Sequence, residues 1–155
     1  MFKDTYLQPH LPDDVWDFAM VLELAREFVP EAQAVTDVDE SGGEARTYTI
    51  DDNTILKTQR PHRLRPKTSL ERETMVLKHL QKHSDVCVPR VLGYAKQSSL
   101  VEYVVMTRMP GGPISRTSIH TEDLYQVLYL HGRALRKIHE VTKRTLLESG
   151  LFPND

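Results

Sequence analysis

Apolar residues recur at helical spacing between Asp13 and Val29: Val15, Phe18, Leu22, Ala25 and Val29 share one face, with Trp16 and Val21 beside it. Asp13 or Asp14 supplies an N-cap, and Pro30 ends the segment. The period then shortens. Ala34 to Val38 and Arg46 to Ile50 read as short strands around the polar run Asp39 to Glu44, and Thr54 to Thr58 follows after the Asp51-Asp52-Asn53 turn. The basic, proline-bounded stretch Arg60 to Pro66 reads as a loop. A second helix spans about Thr68 to His83, with Thr68 and Glu71 at capping-box spacing and Leu70, Leu77 and Leu80 as its apolar stripe. Beyond Pro89, strands at Arg90 to Ala95 and Leu100 to Thr107 are joined by a turn at Gln97-Ser98-Ser99. Pro110-Gly111-Gly112-Pro113 continues neither helix nor strand and marks a linker. The last helix, Thr121 to about Glu148, carries Leu124, Leu128, Leu135, Ile138 and Val141 on one side, and Gly150 and Pro153 follow its end.

The order of helix, three strands, helix, two strands, linker and long helix predicts an α+β fold, with a five-stranded sheet and one helix packed on a single face. The implied divisions are residues 1–32 (N-terminal helical segment), 33–109 (sheet lobe), 110–118 (linker) and 119–155 (the start of a further lobe). With 155 residues, 39% of them hydrophobic, the chain has enough apolar surface for a core. Twenty basic against 22 acidic residues leave a net charge of −2, which excludes a generic polyanion binder. The single cysteine, Cys87, forms no internal disulfide and sits beside valines, as a packing residue does. No apolar run approaches the roughly 18 residues of a membrane span. Met1 to Pro12 lacks an apolar signal core, so the expected setting is a reducing, cytoplasmic one with no membrane partner.

Candidate chemistry starts at Ser41-Gly42-Gly43, between the first two strands. Glycines let a backbone approach an anion and aim N–H groups at it, although a Gly-Gly pair also serves an ordinary hairpin. Lys57 stands alone in the apolar strand Ile55-Leu56-Lys57, where it either snorkels or meets a partner. Sixteen residues later, Glu73 lies on the second helix near Leu77 and Leu80 and is the better-placed carboxylate; Glu71 competes but is drawn to capping. A strand lysine held by a helix glutamate suits phosphoryl transfer, where catalysis is chiefly positioning and charge neutralisation. The run Lys57 to Lys67 holds Lys57, Arg60, Arg63, Arg65 and Lys67 with no acid and no interleaved aromatic, which favours a solvated loop over nucleic-acid contact. His79 and His83 are four apart on a helix, but no HExxH glutamate follows His79.

Together, the turn glycines, Lys57, Glu73-x-x-x-Leu77-x-x-Leu80, Val88-Pro89-Arg90-Val91 and Met106-Thr107-Arg108-Met109-Pro110-Gly111 resemble the aminoglycoside phosphotransferase and choline kinase-like family. Gly132 to His139 looks like the helix that follows the linker there, and the resemblance covers about residues 34–142. It implies a protein-kinase-like small lobe with an antiparallel sheet. It also implies that Lys57 holds the α- and β-phosphates of ATP, that Glu73 orients Lys57, and that Ser41, Gly42, Gly43 and Glu44 lie over the phosphates. Met106 would border the adenine, with Thr107 and Met109 offering backbone groups to the base edge. Ala45-Arg46 departs from the asparagine-containing turn common in the family.

The larger departure is at the catalytic loop. The family's chemistry needs a His-Gly-Asp type loop, an Asn five residues after its Asp, and a metal-binding Asp. Beyond the linker the sequence holds only Asp123 and Asp155; His120 to Asp123 has the wrong spacing, and position 128 is Leu128. The expectation is a truncated kinase lobe that binds nucleotide weakly, has no catalytic or metal ligand residue of its own, and meets Mg²⁺ only with the missing lobe. The alternative is a non-catalytic binding or assembly module. In either case the apolar side of the last helix, which packs on the large lobe in a complete kinase of this kind, is expected to find a second copy or a partner chain, or to fold over the cleft.

Overall fold

In a computed structural model of the chain, which describes residues 15–42, 44–60, 69–97, 101–111 and 120–149, the first helix starts where the Asp17 carboxylate accepts from the Ala19 amide at 2.9 Å. This helix, α1 (Phe18–Arg26), is shorter than the spacing predicts. Its expected caps, Asp13 and Asp14, lie outside the described residues. At its end the amides of Phe28 and Val29 both return to the Ala25 carbonyl, at 3.1 and 2.9 Å, which closes the helix before Pro30 is reached. The buried face also differs from the expected stripe: Val21, Leu24 and Ala25 are buried, whereas Val15 and Phe18 are exposed. The reason is polar. The Trp16 amide donates to the Tyr48 hydroxyl at 2.9 Å, and Phe18 meets the Tyr48 ring edge-on, so the helix entry is set by the sheet's tyrosine.

Five strands follow: β1 (Val35–Asp39), β2 (Ala45–Ile50), β3 (Thr54–Gln59), β4 (Val91–Lys96) and β5 (Glu102–Thr107). All pairings are antiparallel, in the order β1-β2-β3-β5-β4. β1 begins one residue later than expected because Ala34 is spent on the next turn. Its amide donates to the Asp51 carboxylate at 3.0 Å, and its carbonyl accepts from the Asp51 amide at 2.9 Å. Asp51 itself sits at φ 50°, in the left-handed region that aspartate tolerates better than most residues. The β4–β5 hairpin is closed by the Gln97 amide on the Val101 carbonyl at 3.0 Å, although residues 98–100 of its turn lie outside the description.

Residues paired across neighbouring strands share a face of the sheet. One such row runs Val38, Tyr48, Leu56, Val105 and Gly93. Tyr48, Leu56 and Val105 form a single core with Val21, Leu24 and Ala25 of α1. Each fully buried aliphatic side chain there contributes roughly 1.5–3 kcal/mol. The row ends at Gly93 for a steric reason: a Cβ at that position would lie 2.1 Å from the Phe28 ring. Two further bonds tie the helix end to the sheet, from the Tyr103 hydroxyl (2.7 Å) and the Gln97 side-chain Nε2 (2.9 Å) to the Glu27 carboxylate. Burial of the Tyr103 phenol, followed by the carboxylate beside it, pushes its pKa far up. The element order predicts one helix packed on the sheet; α1 packs on it as well.

α2 (Ser69–His83) and α3 (Thr121–Glu148) complete the elements, and no helix among the described residues is long and apolar enough to cross a membrane. The capping residue Thr68, the basic loop 61–68 and most of the linker lie outside the description. The chain forms two compact units, one from the residues through Thr74 with Val91–Arg108, the other from Met75–Arg90 with Met109 onward. Within the second, His79 Nε2 donates to the Val141 carbonyl at 2.6 Å, and Lys137 pairs with Asp85 at 2.5 Å, which holds that carboxyl below its usual range. On α3, Leu124, Leu128 and Leu135 are exposed, while Ile138 and Val141 are half-buried. Cys87 is exposed, contrary to the packing role its valine neighbours suggest, because it lies in the irregular stretch after α2.

Two outcomes test this packing. Gly93→Ala should destabilise the fold by about 1–3 kcal/mol in denaturant unfolding through overpacking against Phe28. Gly132→Ala on α3, where an added methyl meets nothing, should be neutral or gain up to about 1 kcal/mol. The raised Tyr103 pKa means the fold favours the neutral phenol, so its contribution is complete below about pH 10, the ordinary tyrosine value, and is lost as pH climbs beyond it. Tyr103→Phe should be less stable at pH 8 and show a shallower decline above pH 10 in pH-dependent unfolding.

Candidate functional site

Lys57 follows Leu56, and the strand's two-residue period therefore sends it to the face opposite the core. On that face the pairing aligns Asp39, Thr47, Lys57, Val104 and Tyr94 in one row across all five strands. The next row contains Thr49, Ile55, Met106 and Val91. Lys57 Nζ lies 2.7 Å from Glu73 Oε2 of α2, with the two side chains 28% and 32% exposed. The pair is thus neither sealed in the core nor free in water, and the ammonium keeps an accessible side. Glu73, not Glu71, is the partner, as the helix spacing anticipates.

Beside this pair is a cavity of about 400 Å³ lined by Asp39, Ser41, Gly42, Glu44, Ala45, Thr47 and Lys57. The Ser41 amide donates to Asp39 Oδ1 at 2.8 Å, and the Ser41 side-chain and main-chain hydrogen bonds hold the Asp39 carboxyl below its usual pKa. Gly42 has no room for a side chain, since a Cβ there would sit 2.6 Å from the Ala45 carbonyl oxygen. The turn is therefore folded tightly onto the start of β2. It is also braced. Arg46, 2% exposed, reaches Glu40 Oε1 through Nε at 2.8 Å and Nη2 at 2.6 Å. Arg60 donates from Nη2 to the Glu40 carbonyl and from Nε to the Gly42 carbonyl, at 2.9 and 3.1 Å. This corrects the reading of Arg60 as part of a solvated basic loop: its side chain is 11% exposed and turned onto the hairpin.

Of the residues that the sequence singles out, Ser41, Gly42 and Lys57 line one cavity, and Glu73 holds Lys57. Met106 is buried on the Lys57 face, one row along, and Thr107 is the last residue of the same strand, half-buried and paired with Thr54. Met109 is half-buried and belongs to the second unit; Gly43 lies outside the described residues. Sequence reasoning missed Asp39 and Thr47, whose signal was their strand parity with Lys57, and it missed the two arginines. The Ala45-Arg46 departure also gains a reason, since Ala45 receives the folded turn and Arg46 braces it. Among the described residues, no group of three or more His, Cys, Asp or Glu side chains is placed to hold a metal.

No curated protein matches the chain. The profile of the phosphotransferase enzyme family (APH), however, matches residues 35–151, well over half of it. That span takes in the whole sheet, the braced turn, the Lys57–Glu73 pair and α3. The sequence resemblance and the kinase-like arrangement of sheet, lysine and helix glutamate thus agree, and the chain belongs to the phosphotransferase enzyme family.

Proposed function

We propose that this chain is the nucleotide-binding lobe of a phosphotransferase that phosphorylates a small-molecule hydroxyl with ATP, working in the cytoplasm. The observation that carries the reading is the 2.7 Å Lys57–Glu73 pair beside the glycine-turn cavity. Lys57 is the residue that suits a triphosphate: its ammonium, held by Glu73 and partly exposed, supplies a positive charge at the edge of the cavity. ATP, when bound, supplies the phosphoryl group. Lys57 would neutralise phosphate oxygens, Glu73 would keep the lysine from collapsing onto other acceptors, and Met106 would border the base. A backbone group at Thr107 would contact the base edge.

The His-Gly-Asp type loop and the metal-binding Asp that the family's chemistry needs cannot be written after Gly112, where Asp123 and Asp155 are the only aspartates. On this reading the 155 residues bind nucleotide, and transfer needs further protein. A non-hydrolysable ATP analogue should shift the NMR signals of Gly42, Lys57, Met106 and Thr107. Lys57→Ala should weaken binding at least about tenfold, given roughly 1.5–3 kcal/mol for a hydrogen bond to a charged group. Lys82→Ala, exposed at the end of α2, should leave it unchanged. Saturating analogue without shifts at those four positions would sink the proposal. With ATP, Mg²⁺ and a panel of aminoglycosides and amino alcohols, the chain should transfer no phosphate above background.

The second reading, an assembly module, has one observation in its favour: Tyr125, Leu128 and Tyr129 of α3 are 75%, 57% and 62% exposed. The occupant it calls for is a second copy of the chain. Sedimentation should then show a dimer that dissociates when Leu128 and Leu135 are both replaced by Glu. A monomer across the accessible concentration range contradicts it.

A further inference from the structure

We infer that Arg60 is a positioning residue that holds the β1–β2 turn in the form that receives nucleotide phosphates; this rests on the nucleotide reading above. Three alternate carbonyls of the turn, those of Glu40, Gly42 and Glu44, all accept from the dipeptide Gln59-Arg60. Arg60 Nη2 meets Glu40 at 2.9 Å, Arg60 Nε meets Gly42 at 3.1 Å, and the Arg60 amide meets Glu44 at 3.0 Å. Gln59 Nε2 adds a second bond to the Glu44 carbonyl at 2.9 Å. The Glu40 carboxylate closes the network, held by buried Arg46 at 2.6 Å and 4.0 Å from Arg60 Nη1.

The physical consequence follows from peptide geometry. A planar trans peptide directs its N–H opposite to its carbonyl, so a cation that gathers alternate carbonyls on one side fixes the planes of those peptides, including the one whose N–H, that of Ser41, meets the Asp39 carboxylate. A glycine turn left to itself samples many conformations and loses that freedom when an anion binds. Arg60 removes much of that freedom beforehand. Its guanidinium, engaged with carbonyls and 11% exposed, is not a spare cation for phosphate. The labour is divided along one strand and its end: Lys57 faces the phosphates, and Arg60, three residues on, shapes the turn beside them.

The test compares a non-hydrolysable ATP analogue with adenosine, which has no phosphates, by calorimetric titration of the full chain. Arg60→Gln should weaken the analogue about tenfold while leaving adenosine unchanged, because only the phosphates use the turn. In the ligand-free protein the Ser41 and Gly42 amides should exchange hydrogen faster. Arg60→Lys, which keeps the charge but cannot span two carbonyls, should stay as weak as Arg60→Gln. Full recovery with lysine would show that Arg60 acts as a charge and would overturn the inference. So would an equal loss for both ligands, or no loss for the analogue. A wild-type chain that binds neither ligand defeats the nucleotide reading itself, whereas a wild type that binds with Arg60→Gln unaffected defeats only the role of Arg60. Should Arg60→Gln fail to fold by circular dichroism, Glu40→Gln replaces it. The same selective loss is expected, and an equal loss for both ligands counts against the inference.

Discussion

The core and the candidate site both depend on the register of β3 between β2 and β5. Leu56 pairs with Tyr48 on one side and Val105 on the other, all in the core under α1; Lys57 pairs with Thr47 and Val104 on the opposite face. A slip of one residue would bury an ammonium in the apolar core and expose Leu56, which is costly enough to make the register effectively unique. The core under α1 therefore fixes where the site lies, although the two occupy opposite faces of the sheet. Lys57 is aimed at Glu73 because its neighbour in sequence cannot be anywhere but inside.

The same constraint explains the asymmetry of the turn after β1. Its start is set by Asp39, paired with Thr47, and its end by Ala45, paired with Gln59. Between those anchors the chain has little slack, and the tight approach of Gly42 to Ala45 takes it up. The arginines on β2 and at the end of β3 then act on a segment whose span is already defined. The turn carries an ionic brace, Arg46 and Arg60 on Glu40, where an asparagine-containing turn is common in the family.

Much of this was legible in the chain. Alternation and turn residues located all five strands within about two residues, and helical spacing selected Glu73 over Glu71 as the lysine's partner. What was not legible depended on which elements meet. The inward face of α1 could not be read from its own apolar positions, because Trp16 and Asp17 set the entry through a backbone bond and a cap. Asp39 and Thr47 carry no motif; only the pairing places them beside Lys57. Arg60 sits in a run of basic residues whose composition says solvent, and only the three carbonyls opposite it say otherwise.

The bond from Tyr103 to Glu27 joins residues 76 apart in sequence. During synthesis, α1 emerges long before β5, the strand that carries Tyr103 and the central core residue Val105. Until then Val21, Leu24 and Ala25 have no complete surface to bury against, and contacts of such long range form late because of the chain entropy they must overcome. The helix α1 is therefore made before the sheet it packs on and is secured only after β5 is complete. In the living cell, its apolar face is the part of this chain that a nascent-chain chaperone would have the longest opportunity to hold.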